Sequence, residues 1–254
     1  MTDNINAVDA SQLLWLDELS TIEVAKIVKQ GIVIILPIGS VEEHGEHLPL
    51  CTDSIQPEYV ALEVARQTGC KVAPPFRYGI VNAGRNFSGS ITLQFNTLFN
   101  VVKDILSELT RNGFNRIIVL SGHAGSSHMV ALKLAAQQVI QQNGEKNGKQ
   151  TTRIMVLSDY DFAEELNKEL ADPNDGHAGT IETARVMDIR PDLIKTKGIP
   201  SHYKMPRFEI VLHPEHYFPS GVHGDPTTAT AKKGQKINNH VITQVIKLVQ
   251  ELQT

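Results

Sequence analysis

An apolar run, Ile32 to Leu36, breaks directly into a dense polar stretch, and this junction limits the chain more than any other part of it. Branched side chains dominate the run, as they do in a strand buried on both faces. Pro37 stands at its end, where a missing backbone donor is tolerated. Glu42, Glu43, His44, Glu46, His47 and Asp53 then fall within twelve residues. An ionised carboxylate near the interior must be paired or bound to a metal. If residues 41–45 run extended, side chains two apart point the same way, so Glu42 and His44 share one side and Glu43 faces the other. Oxygen and nitrogen donors converging on one point suit Zn, Mn or Fe. On this stretch alone, a solvated acidic loop with two surface histidines accounts for the residues equally well.

The rest of the chain supplies a frame. Leu13 to Lys29 reads as an amphipathic helix stopped by Gly31, and Ile55 to Gln67 as a second, with Pro57 in its first turn. Lys71 to Pro74 suits a short strand, and Pro75 to Ser90 a long Gly- and Asn-rich loop of the kind that is often functional. Thr97 is the expected N-cap of a helix striped by Leu98, Val102, Leu106 and Leu109 and closed by Gly113. Arg116–Leu120 is a second core strand, running into Ser121-Gly-His123-Ala-Gly125-Ser-Ser-His128, and Met129–Gln142 a helix. A polar surface turn, Asn143–Thr152, leads to a third core strand, Arg153–Leu157. A short helix, Phe162–Leu170, precedes His177 and Glu182, which open a helix to about Asp188. Lys197–Pro226 is irregular, and Thr227–Gln253 closes the chain as one long helix.

Short apolar strands alternating with helices give an α/β class with a mostly parallel sheet. In such sheets ligands bind beyond the carboxyl ends of the strands. The first strand ends near Glu42 and His44, the second at His123, and the segment after the third leads to His177 and Glu182. Three clusters from three strands can therefore meet, which favours a metal site over a solvated loop.

Composition excludes several classes. The 254 residues carry a net charge of -4, so nothing marks the chain for nucleic acid or an anionic membrane. No apolar run approaches the roughly 20 residues of a spanning helix, and the polar N-terminus lacks a secretory pattern, so cytoplasm is the expected location. Cys51 and Cys70 form no zinc-type pair and no disulfide scaffold; small buried filler is the reading for Cys51. The glycines at 39 and 45 are not followed by Lys-Ser/Thr, and no strand is followed by G-x-G-x-x-G, so phosphate and dinucleotide motifs fail. The stretch around Ser126 lacks the G-x-S-x-G elbow of serine hydrolases. His202, His213 and His216 read as surface or supporting residues rather than ligands.

Taken together, four segments resemble the creatininase (creatinine amidohydrolase) family. Gly39-Ser-Val-Glu42-Glu-His44-Gly-Glu-His47-Leu-Pro-Leu-Cys-Thr-Asp53 is similar to the family's G-S-x-E-Q-H-G-x-H-L-P-L-x-T-D. Ser121-Gly-His123-Ala-Gly-Ser is similar to its N-G-H-G-G-N, and His177-Ala-Gly-Thr-Ile-Glu182-Thr to H-A-G-x-x-E-T-S. Gly221-Val-His-Gly-Asp225-Pro is a fourth match near the last helix.

The resemblance implies one creatininase-like metal-dependent amidohydrolase domain over residues 1–254, a three-layer αβα fold with a mostly parallel central sheet, and assembly as a hexamer. It implies two divalent metal ions per chain, zinc first, with manganese or iron as alternatives. By position Glu42 and His44 each hold one metal, Asp53 bridges both, and His123 ligates the first. The creatinine-acting member has a glutamate ligand where this chain has Gly125, and Glu182 is the candidate replacement. The plain alternative for Glu182 is a carboxylate stabilised at a helix N-terminus. A metal pair activates a water for attack on an amide carbonyl. His177 is the histidine suited to protonating the leaving nitrogen. Creatinine-specific members pack the ring against tryptophans, whereas this chain has one, Trp15, assigned to the N-terminal helix and far from every motif. The expected substrate is a small molecule with a non-peptide amide bond, cyclic or formyl. Formamidopyrimidine-nucleotide deformylation, with Arg85 a candidate anion contact, and a non-catalytic metal- or ligand-binding subunit are the alternatives.

Overall fold

A computed structural model describes residues 13–143, 145–146 and 149–254; the N-terminal segment 1–12 and positions 144, 147 and 148 of the polar turn lie outside the described residues. Four parallel strands form the central sheet: β1 (Ile34–Ile38), β2 (Lys71–Val72), β3 (Arg116–Ser121) and β4 (Arg153–Ser158), in the order β2-β1-β3-β4. The alternation of a pleated strand then sorts the apolar side chains by face. Ile35, Ile118 and Leu120 point to one side, where they meet α2 (Thr52–Thr68), α5 (Thr180–Ile189) and α6 (Ala231–Gln253). Ile34, Leu36, Ile38, Ile117 and Val119 point to the other, against α1 (Thr21–Lys29), α3 (Phe95–Arg111) and α4 (Ser126–Asn143). Helices on both faces of a parallel sheet make the expected three-layer αβα architecture.

The differences from the sequence reading have local causes. The first helix starts at Thr21 rather than Leu13, because Ser20 and Glu23 form a capping box: the Glu23 carboxylate accepts the Ser20 N–H at 2.7 Å, and the Ser20 hydroxyl accepts the Glu23 N–H. Trp15 is therefore outside the helix and bridges to Val72 at the sheet edge. The third helix begins at Phe95 with Gln94 as its N-cap, so Thr97 lies inside it. Pro37 sits within β1 rather than after it; its carbonyl still accepts the Phe76 N–H. The last helix starts at Ala231, capped by Thr230, after a separate turn at Pro226–Thr228.

A buried ion pair ties the sheet to the helices that carry the site. Arg185 on α5 is fully buried; its Nη2 donates to Asp159 Oδ2 at 2.6 Å and its Nε donates to Asn238 Oδ1 on α6 at 2.9 Å. Asp159 follows β4 directly, and burial pushes its carboxyl up despite the guanidinium. Removing one partner of such a pair strands the other charge, at a cost of about 3–5 kcal/mol. Arg185→Met is thus expected to lower the urea midpoint by that equivalent. Arg185→Met with Asp159→Leu should recover much of the loss, because apolar replacement of a whole buried pair is close to neutral. A single variant as stable as the parent would contradict this.

Candidate metal centre

Beyond the carboxyl ends of β1 and β3 the chain assembles a buried cluster of carboxylates and imidazoles. Asp53 comes from the first turn of α2, with Ser40 Oγ donating to its Oδ2 at 2.6 Å. His123 Nδ1 lies 3.0 Å from both Glu42 Oε2 and Asp53 Oδ2. His44 Nε2 lies 3.0 Å from Asp53 Oδ1 and 3.6 Å from Glu182 Oε2. Donor atoms of Glu42, Asp53 and His123 form one group within 4.8 Å of one another, and those of His44, His177 and Glu182 a second. All six residues singled out in the sequence are therefore brought together, and Asp53 touches both groups.

The backbone sets the imidazole tautomers. His123 Nε2 is 3.0 Å from the Ile80 carbonyl, His44 Nδ1 is 3.2 Å from that of Glu42, and His177 Nε2 is 2.8 Å from that of Glu43. A carbonyl only accepts, so each of these nitrogens donates its N–H. As neutral rings, His123 and His44 turn the lone pairs of their opposite nitrogens on carboxylates. His44 Nε2 is buried and without a hydrogen-bond partner. Such an arrangement calls for a cation between nitrogen and oxygen, and histidine ligands held by a carbonyl on the far nitrogen are the usual support of a metal site. The residues fit a divalent metal.

Electrostatics point the same way. Burial opposes charge on His44, but Asp53, Glu182 and Glu42 outweigh it and bring the imidazole to about 10. His123 is likewise raised by Glu42 and Asp53 against burial. Asp53 is held well below the usual carboxylate range, because His44 and His123 overcome its burial. Burial raises Glu182. The cluster demands positive charge, which metal binding would meet with release of protons.

Glu182 combines both readings offered for it. Its Oε2 accepts the Ala178 N–H at 2.6 Å in the turn before α5, as a helix-terminal carboxylate would, and that same oxygen faces His44. Ala178 itself has a φ of 53°, which for a residue with a side chain stores strain beside His177. At Gly125, a Cβ would come within 2.5 Å of His123 Nε2, so a side chain there would displace the ring as it stands. Gly122 is equally constrained: a Cβ would meet the Asp53 carbonyl at 2.0 Å.

Other residues were not assigned from sequence. Glu43 does point away from Glu42's cluster, but to His177, with Oε1 3.2 Å from Nε2, while its other oxygen accepts the Gly45 N–H. Asp175 accepts the N–H groups of Thr180 and Ile181 and so fixes the turn bearing His177. His47 Nε2 meets Thr183 Oγ1 on α5 at 3.0 Å, and burial pushes the imidazole down to about 4. His128 donates to Ser121 and accepts from the Ile80 N–H, and burial together with His123 pushes it down to about 3. The only signal for these four was their place inside or beside the motifs. His213 and His216 lie with Glu215 on a surface turn, and His202 packs edge-on to His223. Burial pushes the Cys70 thiol up to about 11. Arg85 is exposed on the turn Gly84–Asn86.

The cluster opens into a cavity of about 310 Å³ whose walls include Ile80, Asn82, Ala83, Tyr160, Tyr203 and Phe218. Aromatic rings border it, although Trp15 is not among them. The profile of the creatinine amidohydrolase family matches residues 17–249. The chain belongs to the creatininase family. Curated relatives of this family member include a creatinine amidohydrolase of Pseudomonas putida, 26% identical over 244 residues that cover 89% of this chain and 92% of the relative. A mycofactocin precursor peptide peptidase of Mycobacterium ulcerans is 28% identical over 251 residues, 92% of this chain and 91% of that one. A solved creatininase mutant of Zn-Zn type superposes with a TM-score of 0.85 at 25% identity, covering 94% of this chain and 98% of its own. Creatininase membership makes the protein a metal-binding hydrolase, an amidohydrolase for carbon–nitrogen bonds other than peptide bonds; some relatives are named peptidases. No helix among the described residues is long and apolar enough to cross a membrane.

Proposed function

We propose that this creatininase-family protein hydrolyses a non-peptide amide of a small molecule with two divalent cations. Glu42, Asp53 and His123 would hold one cation; His44 and Glu182, with Asp53 shared, would hold the other. Zinc suits this oxygen and nitrogen set, and manganese or iron are alternatives. When bound, such a pair supplies an activated water and polarises the carbonyl. The chain's own groups do the rest. His177 has its Nε2 held by the Glu43 carbonyl and carboxylate, with 23% of its side chain exposed toward the cavity. Its role is to take up at Nδ1 the proton that the adding water gives up and to pass it to the leaving nitrogen, which departs poorly as an anion. Ile80, Tyr203 and Phe218 limit water around the reacting amide.

The observation that carries this reading is the pair of buried donor groups whose histidines are aimed at carboxylates by backbone carbonyls, with His44 Nε2 facing both Asp53 and Glu182. Metal analysis of the purified protein tests it. About two metals per chain are expected, falling to about one in Glu182→Ala. No metal after supplementation with Zn or Mn would favour a non-catalytic binding subunit instead. A fall to zero would mean that the two ions bind only as a unit. We propose a cytoplasmic homo-oligomer, a hexamer by family resemblance; light scattering at the mass of one chain would exclude the assembly.

A further inference from the structure

A second groove of about 490 Å³ adjoins the catalytic cavity and shares two wall residues with it, Asn82 and Ala83. Its outer wall is Met205, Ile210 and Leu212; Arg85 and Glu209 also line it. Ile210 is 98% exposed and Leu212 82%. Large apolar side chains gathered in the open usually mark a contact site. The catalytic cavity, at about 310 Å³, lies at the small end for a ligand pocket, and the groove lies directly across Asn82 and Ala83 from it. The two charged groups lining the groove have opposite sign, so the surface selects for apolar character rather than for a net charge.

Resting on the hydrolase reading above, we propose that the groove is a subsite for an apolar limb of the substrate, so that this protein favours linear amides carrying an alkyl or similar chain on one side of the scissile bond. A compact ring or a bare formyl group would leave the groove unused. Adjacency to the cavity across Asn82 and Ala83 is what assigns the groove to substrate rather than to a second copy of the chain.

Binding to the metal-free protein tests this without turnover. Acetamide, hexanamide and N-hexylacetamide can be compared by ligand-observed NMR, the two long amides placing the chain on either side of the bond. Burying a methylene favours binding several-fold, so at least one long amide should bind about tenfold or more tightly than acetamide. In the double variant Ile210→Ser/Leu212→Ser, the preference should shrink to about twofold or less. Both substitutions are at exposed positions, so the fold should persist. Equal binding of all three amides, or a preference that survives the double variant, overturns the subsite. So does a loss of oligomer mass in the variant with its preference intact, which would assign the segment to a second copy. Failure of the hydrolase reading is separate: it would show as the alkyl preference without turnover of any amide by the metal-loaded protein. Turnover of acetamide with no alkyl preference would leave that reading standing and remove the subsite.

Discussion

Asp53→Asn is expected to release both of the proposed cations and to lower amide turnover by at least about 10⁴-fold, because water without metal activation returns from a pKa near 7 to about 15.7. The reason lies in the position of this one carboxylate. Oδ1 faces His44 and Oδ2 faces His123, each at 3.0 Å, so this one side chain serves both donor groups. Burial is nearly complete, and the two imidazoles hold the carboxyl ionised. Asparagine keeps the shape and the Ser40 contact but removes the charge from a cluster built around it. Glu42 and His123 on one side, and His44 and Glu182 on the other, are then each reduced to two ligands. Metal content and turnover should be measured on the same preparation, with circular dichroism as the check on folding. Ser40→Ala is the companion: it deletes only the hydroxyl that donates to Oδ2, and for a supporting contact the loss should be about 10–100-fold. A folded Asp53→Asn protein with two metals and normal turnover would remove the shared-carboxylate reading.

The legible part of the site was the part written in contiguous motifs. Glu42, His44 and Asp53 follow one strand, and His123 follows another, so the parallel-sheet rule alone places them at one end of the molecule. Glu182 and His177 were legible as candidates for the same reason. What stayed hidden depends on contacts distant in sequence. Glu43 looked like an outward neighbour of two ligands, and only the fold puts His177, 134 positions on, against its carbonyl. The Ile80 carbonyl that orients His123 belongs to a loop that reads merely as glycine-rich. Asp159 after β4, Arg185 on α5 and Asn238 on α6 are far apart in sequence and become a network only in the packed core. Helix starts were partly legible: the Ser20–Glu23 box is visible in sequence, yet the apolar stripe from Leu13 onward suggested a longer helix.

His177→Ala is expected to lower turnover by about 10²–10⁴-fold, the usual worth of a positioned proton donor, while metal content stays near that of the parent. The geometry distinguishes His177 from the other two imidazoles. The side chain of His44 is 0% exposed and that of His123 11%, each with its second nitrogen closed on carboxylates, whereas His177 is 23% exposed; His123 and His177 both line the cavity. Glu43 holds its Nε2 on the far side, which leaves Nδ1 to meet substrate. A proton donor acts only on the leaving nitrogen, so amides of good leaving groups, such as anilides with electron-withdrawing substituents, should be much less affected than alkyl amides. Imidazole added to the variant should restore part of the rate for the same reason. His177 also sits close enough to His44 and Glu182 to complete a three-donor group. If the variant instead loses about one metal per chain, with equal losses across leaving groups, His177 is a ligand of the second cation and the proton must come from elsewhere in the cavity.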